Sequence, residues 1–69
     1  MAVRYDRLFH WLIDKKMTNS QLKGEARLSA NIITRLKRDE YIPVESIERI
    51  CRVLNCGVDD ILEFVHNED

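Results

Sequence analysis

Apolar side chains recur every three or four residues along most of this chain, which is the spacing expected of helices that bury one face. No stretch alternates between apolar and polar residues for more than a few positions, so the pattern predicts no sheet. The sequence therefore predicts an all-α fold of five short helices, over residues 4–16, 19–26, 30–38, 44–55 and 58–66.

Capping residues mark where several of these helices begin. Thr18 precedes the second helix and is followed three residues later by Gln21, which is the spacing of a capping box. Ser29 holds the equivalent position before the third helix. Pro43 opens the fourth helix, and Gly57 separates it from the fifth. The caps and breaks therefore divide the chain where the apolar stripes do.

Length and composition restrict the class of protein. A chain of 69 residues with 45% hydrophobic and 33% charged side chains predicts one globular domain over 1–69. Because it has neither a long apolar run nor a basic and then apolar leader, we expect a cytoplasmic protein that does not bind membranes. A catalytic pocket of several hundred Å³ exceeds what so small a domain can enclose, so we expect no enzyme and no cofactor.

Charge is distributed unevenly along the chain, although the net charge is only −1. Residues 1–38 contain nine basic and three acidic side chains, for a net charge of +6. Residues 39–69 contain two basic and nine acidic side chains, for −7. Such an asymmetry would orient the molecule on a polyanion such as a nucleic acid. Two solvated helix faces of opposite charge are the alternative interpretation.

The connection between the second and third predicted helices is only about three residues long, from Arg27 to Ser29. So short a connection makes the helices cross steeply and leaves one face of the third helix exposed, since the core needs Ile33 and Leu36. Arginine can bond guanine, asparagine can bond adenine, and small apolar groups can touch the thymine methyl, so the exposed residues suit a DNA major groove. These residues are Ala30, Asn31, Thr34, Arg35 and Arg38.

From about residue 5 to residue 64, the order of these segments resembles the Cro/repressor (XRE) class of helix-turn-helix DNA-binding domains. The matching features are Met17-Thr18, Leu22, Leu28-Ser29, Ile33, Leu36, Pro43 and the segments 47–54 and 58–62. The resemblance implies a five-helix, lambda-repressor-like domain, typical of small stand-alone regulators of bacteria and prophages. It implies a repressor of transcription that binds a double-stranded DNA operator as a homodimer, with two third helices in successive major grooves about 34 Å apart. Because the five predicted helices use the whole sequence, we expect no small-molecule effector.

The resemblance also implies roles for individual residues. The base contacts it implies are Ala30, Asn31, Thr34 and Arg35. The phosphate contacts it implies are Asn19, Ser20, Arg38 and Tyr41. Lys37 is also predicted to contact phosphate, for a chemical reason. Its ammonium group is a point charge with little directional preference, which suits a phosphate better than a base edge. Ile32 has two interpretations, packing near Ile42 or contact with a thymine methyl.

Three features depart from the pattern of the class. Arg27 stands in the tight turn where glycine is usual, and a left-handed conformation there would store roughly 1 kcal/mol of strain. Lys23 stands where the second helix usually packs a small residue, so its ammonium group must extend outward. Leu12 and Lys37 stand where many members bury an Arg–Glu pair, so we expect no stranded charge in the core.

Other combinations of residues suggest weaker hypotheses. Cys51 and Cys56 are too few for a disulfide scaffold, and their spacing suits zinc poorly even with His10 and His66, so we expect no metal. Ser29 has no visible catalytic partner. The apolar excess around Phe9, Trp11 and Phe64-Val65 suggests either core or a dimer surface. The alternative function is a protein-interaction module of the same fold, anti-repressor or antitoxin-like, that uses the acidic second half.

Overall fold

In a computed structural model, which describes residues 2–66, the chain folds mainly into α-helices. The helices are α1 (Asp6–Asp14), α2 (Asn19–Glu25), α3 (Ala30–Lys37) and α4 (Val44–Leu54). Strand β1 (Ala2–Arg4) precedes them, and a turn of 3-10 helix (Val58–Asp60) and strand β2 (Glu63–Val65) follow them. The first four predicted helices are confirmed, each ending one or two residues earlier than expected. The first begins at Asp6 rather than at residue 4, because Arg4 is part of β1. None of the helices in the described range is long and apolar enough to cross a membrane.

The predictions of a fifth α-helix and of a fold without a sheet are wrong. Within 58–66 only the 3-10 turn is helical, and β2 pairs antiparallel with β1 so that Ala2 lies opposite Val65. A helix there would bury Val65 beside Ile61, whereas Val65 and Phe64 are 36% and 54% exposed. The pairing gives backbone groups of both segments hydrogen-bond partners, and it joins parts of the chain that local periodicity cannot relate.

Apolar side chains from all four helices, from β1 and from the segment after the 3-10 turn form one core. Its buried members are Val3, Tyr5, Leu8, Leu12, Leu22, Ala26, Leu28, Leu36, Ile42, Ile50, Leu54 and Ile61. Each large side chain buried there contributes about 1.5–3 kcal/mol relative to exposure. Leu12 is 3% exposed and Lys37 lies in solvent, so the departure at these two positions leaves no charge in the core.

The predicted caps start α2 and α3. The Thr18 hydroxyl oxygen accepts from the Gln21 backbone N–H at 3.1 Å, and the Thr18 N–H donates to Gln21 Oε1 at 2.8 Å, which completes a capping box. Ser29 Oγ accepts from the Ile32 N–H at 3.3 Å. These bonds satisfy amide groups that have no partner within the helix, and each cap is worth about 1 kcal/mol.

Each α-helix is followed within two residues by a left-handed residue that is not glycine. These residues are Lys16 (φ 54°), Arg27 (φ 56°), Asp39 (φ 56°) and Asn55 (φ 53°). Asn and Asp tolerate this conformation, but Lys and Arg adopt it at a cost. The strain considered for Arg27 from the sequence is therefore present. Gly24 lies inside α2 with no positive φ, within the helix predicted over 19–26.

Candidate nucleic-acid interface

A tight turn over 26–29 joins α2 to α3. The Leu28 N–H donates to the Lys23 carbonyl oxygen at 2.9 Å and closes the turn. Ala26 and Leu28 are buried on either side of Arg27, so the turn is anchored in the core at two points. The left-handed backbone of Arg27 lies between these anchors. The turn therefore fixes how α3 is oriented, with one side on the core and the other away from it.

The two sides of α3 differ in the residues they carry. Leu36 is buried, and Ile32 and Ile33 are partly buried against the core, which favours the packing interpretation of Ile32. Because successive residues are rotated by about 100° around a helix, the opposite side collects positions spaced by three, four and seven. Its solvent-exposed residues are Ala30, Asn31, Thr34 and Lys37, followed by Arg38 at the C-cap. Most of the predicted base contacts thus share one exposed face.

An open groove of about 260 Å³ separates this face from α2. It is lined by Asn19, Ser20, Lys23, Ala30, Ile33, Thr34 and Lys37. The groove brings together five predicted contact residues from two helices. Besides the core residue Ile33, Lys23 is the one lining residue that the sequence analysis did not include among the contacts. Its position four residues after Asn19 places both on one side of α2, and that spacing was the available signal.

Polar groups on α3 are partly engaged within the protein. The Thr34 hydroxyl donates to the Ala30 carbonyl oxygen at 3.1 Å, which leaves its oxygen free to accept. Arg35 is half-buried rather than fully exposed, and its Nη1 donates to the Tyr41 carbonyl oxygen at 3.5 Å. Asn31 has no side-chain hydrogen bond within residues 2–66 and is exposed. Arg35 therefore lies at the edge of the exposed face, beside the loop after α3, while Asn31 is free on it.

The loop after α3 is tied to the start of the chain. The Tyr5 hydroxyl donates to the Glu40 carbonyl oxygen at 2.7 Å, and the Tyr5 N–H donates to Asp39 Oδ1 at 3.1 Å. Arg4 Nε lies 3.4 Å from Asp39 Oδ2. Burial raises the pKa of the Tyr5 phenol, and the negative charge of Asp39 raises it further, so the hydroxyl stays a donor at neutral pH. The exposed side chains of Arg38 and Tyr41 are thus carried by a braced loop.

Ion pairing distinguishes the cations of residues 15–38 from the other cations of the described range. Within residues 2–66 the ion pairs involve Arg4, Arg7, Arg49 and Arg52. The cations of residues 15–38 have no ion pair in the same range: these are Lys15, Lys16, Lys23, Arg27, Arg35, Lys37 and Arg38. Their field is not neutralised locally, and it extends over α2, α3 and the turn between them. Such a surface attracts a polyanion.

The residues considered for metal binding or for a dimer surface lie away from the groove between α2 and α3. Cys51 and Cys56 are free, partly buried thiols at the end of α4, and burial raises the pKa of Cys56 to about 11. Within the described range, no cluster of three or more histidine, cysteine or acidic side chains could hold a metal ion. Phe9 and Trp11 pack partly against the core, and the ammonium group of Lys15 lies 5.2 Å from the centre of the Trp11 ring.

Comparison with known proteins gives the class. A family model described as the Cro/C1-type HTH DNA-binding domain matches residues 7–67. The chain therefore belongs to the Cro/C1-type helix-turn-helix family of DNA-binding domains, and the resemblance inferred from its motifs is confirmed.

A solved structure gives a more specific likeness. The fold is similar to the crystal structure of the transcriptional regulator VanUg, with a TM-score of 0.87 and 31% sequence identity. The match covers 90% of this chain and 83% of that one. A search among curated proteins finds no match. The family and this structural relative together support a DNA-binding regulator of transcription.

Proposed function

We propose that this protein is a sequence-specific repressor that reads the major groove of a DNA operator with α3 and binds as a homodimer. It acts without a cofactor, a small-molecule effector or an enzymatic step. It forms a single domain over 1–69 and acts in the cytoplasm. Residues 1 and 67–69 of that domain lie outside the described residues. The observation that carries the proposal is the exposed face of α3, set among cations that form no ion pair with another residue of 2–66.

The proposed contacts divide into two kinds. Ala30, Asn31, Thr34 and Arg35 read base edges, and Asn19, Ser20, Lys37, Arg38 and Tyr41 hold phosphates. The shared groove between α2 and α3 supports Ala30 and Thr34 of the first set lying beside Asn19, Ser20 and Lys37. The braced loop supports a fixed position for Arg38 and Tyr41, because a phosphate contact on a mobile loop would have to order that loop on binding.

Selection from a random duplex DNA pool at near-physiological salt tests this function first. We expect a two-fold symmetric motif whose half-sites lie about one helical turn apart. Failure to enrich any motif with folded protein would contradict specific DNA binding. It would favour the alternative of an interaction module of the same fold.

Three arginine substitutions then test the division of roles, because each removes one positive charge. Arg35→Ala should cost about 1–3 kcal/mol and relax the preference at one base pair. Arg38→Ala should weaken binding to all DNA sequences alike, and it should reduce the slope of the logarithm of the binding constant against the logarithm of salt concentration by about 1. Arg52→Ala is the matched control, since Arg52 lies on α4 and pairs with Glu48 at 3.6 Å. Equal effects from all three would mean that net charge alone drives binding.

A further inference from the structure

The end of α4 brings together Cys51 and Cys56, which are the only cysteines in the sequence. Asn55 has a left-handed backbone (φ 53°, ψ 54°), and the Cys56 N–H donates to the Cys51 carbonyl oxygen at 3.0 Å. This is a common helix ending, in which the residue after the left-handed one folds back onto the residue five positions earlier. Such an ending usually pairs two apolar side chains, and here it pairs two thiols.

The two thiols are in contact and accessible. The Cys56 S–H donates to the sulfur of Cys51. A disulfide needs α-carbons about 4.4–6.8 Å apart, and a backbone hydrogen bond between two residues holds their α-carbons at about that separation. Both cysteines pack partly against the core and keep part of their surface in solvent. A disulfide can therefore close here with little movement of the backbone, and a small reagent can reach it.

We propose that Cys51 and Cys56 are a redox modification site, at which a small-molecule disulfide such as oxidised glutathione converts the two thiols into a reversible intramolecular disulfide. The sequence has no third cysteine to compete for either sulfur. In a compartment that keeps thiols reduced, such a bridge is transient and forms on exposure to an oxidant. The proposal is independent of the proposed function, because neither cysteine lines the groove between α2 and α3.

The reaction is an exchange of disulfides in two steps. The Cys51 thiolate attacks one sulfur of the small disulfide, whose S–S bond breaks, and the departing thiolate takes up the proton that Cys51 has lost. The Cys56 sulfur then attacks the Cys51 sulfur of the mixed disulfide. The S–S bond of the protein forms, and the second small thiolate leaves with the proton of Cys56. Two electrons pass from the cysteines to the small disulfide, which is released as two thiols.

The environment of the thiols sets this order of attack. Burial raises the pKa of both, and that of Cys56 reaches about 11. The hydrogen bond opposes the rise at Cys51, because the Cys51 thiolate accepts it, and adds to the rise at Cys56, which must give up the donated proton. The negative charge of Asp60 raises both pKa values, and Lys15 lowers that of Cys56. Cys51 therefore ionises before Cys56, and the exchange is slow at neutral pH.

The bridge restrains the chain locally. It closes residues 51–56 into a ring across the left-handed residue, and it ties the end of α4 to the segment that leads into the 3-10 turn. The exposed face of α3 is built from residues 30–38 and is not part of that ring. We therefore expect the oxidised chain to keep the DNA affinity of the reduced chain.

Equilibration of the full chain in glutathione redox buffers at about pH 8, followed by alkylation and intact mass measurement, tests the proposal. We expect a monomer that has lost two hydrogen atoms and takes up no alkylating reagent. The equilibrium constant for this product should be at least ~tenfold larger for the folded chain than for the same chain in urea, because the fold holds the thiols in contact. An equal or smaller constant for the folded chain would overturn the proposal. So would a main product that is a mixed disulfide with glutathione or a disulfide between two chains.

Cys51→Ser and Cys56→Ser are the matched variants, since each keeps one thiol and the net charge. Each should stop at a mixed disulfide with one glutathione. Cys56→Ser should form it faster than Cys51→Ser, because a serine hydroxyl at position 56 still donates to the Cys51 sulfur, whereas Cys56 keeps its raised pKa. The opposite order of rates would refute the assignment of Cys51 as the attacking thiol. Neither experiment involves DNA, so failure here does not affect the proposed function.

Discussion

Arg27 offers a direct measurement of the strain stored at the helix-turn-helix connection. It has a φ of 56° between the buried residues Ala26 and Leu28, so its backbone cannot relax without moving the core. Its side chain is exposed and makes no ion pair within residues 2–66. Its carbonyl oxygen accepts from Arg49 Nη1 at 3.4 Å, a bond that any residue at position 27 can keep. Arg27→Gly therefore changes the backbone preference and little else.

The expected gain follows from two opposing contributions. A left-handed conformation costs an ordinary residue about 1–2 kcal/mol, which glycine does not incur. Glycine loses about 0.5–1 kcal/mol more conformational entropy on folding. The net stabilisation of Arg27→Gly is then about 0.5–1 kcal/mol. With an unfolding entropy of about 2.1 cal/mol/K per residue, a chain of this length should gain about 3–7 °C in Tm.

Thermal and urea denaturation of three proteins measures this gain. The unmodified chain and Arg27→Ala should agree within about 0.5 kcal/mol, because alanine keeps the strain and removes only the charge. Arg27→Gly should be more stable than both. If Arg27→Ala is stabilised as much as Arg27→Gly, relief of charge repulsion among the neighbouring cations is the cause. If Arg27→Gly is the least stable of the three, the reasoning from backbone strain is wrong.

Three further predictions concern single residues. Gly24→Ala should stabilise the chain by about 0.5–1 kcal/mol in urea denaturation, because Gly24 lies inside α2 and an added methyl would meet no atom within 4 Å; an unchanged midpoint would contradict this. Tyr5→Phe should cost about 1–2 kcal/mol by removing the bond to the Glu40 carbonyl oxygen, whereas Tyr41→Phe, 61% exposed, should cost little in the same assay. Alkylation of Cys56 should be slow at neutral pH and accelerate until pH 11, because burial raises the pKa of its thiol from 9.0 to about 11. The folded state holds this proton more tightly than the unfolded state, so the free energy of unfolding should fall as pH rises from 9 to 11. This fall should be smaller in Cys56→Ala.

The local features of this fold could be predicted because local energies decide them. Thr18, Gln21 and Ser29 satisfy amide groups three residues away, and they start α2 and α3 where the sequence places them. The stripes of α1 to α4 likewise bury most of the residues that their spacing selects, such as Leu8 and Ile50, although Ile13 of α1 is 72% exposed. Cap and stripe act within one or two helical turns, so the sequence near each helix is sufficient to predict them.

The same reasoning gave the wrong structure for residues 58–66, because pairing with the distant strand β1 decides the structure of that segment. Val58, Ile61, Leu62 and Val65 have helical spacing, but only Ile61 is buried. The backbone of 63–65 pairs with β1, at the opposite end of the chain, and nothing in the local pattern reports that pairing. Tertiary contacts override weak local preference in so short a segment.

The candidate interface could likewise be predicted only in part. The outer face of α3 followed from removing its core residues from the helix, and the structure places Ala30, Asn31 and Thr34 there. The position of Arg35 did not follow, because its bond to the Tyr41 carbonyl oxygen depends on a loop conformation. The bracing of that loop by Tyr5 depends on contacts between residues more than thirty positions apart.

The pairing of β1 with β2 also has a consequence for the order of folding. Ala2 and Val65 lie near opposite ends of the sequence, so forming the sheet closes almost the entire chain into a loop. That closure is least costly after the helices have already drawn the chain together. We therefore expect the sheet to form after the rate-limiting step, so that weakening it by Val3→Ala speeds unfolding and leaves the refolding rate nearly unchanged in stopped-flow kinetics. A slower refolding rate would mean instead that the two ends meet early.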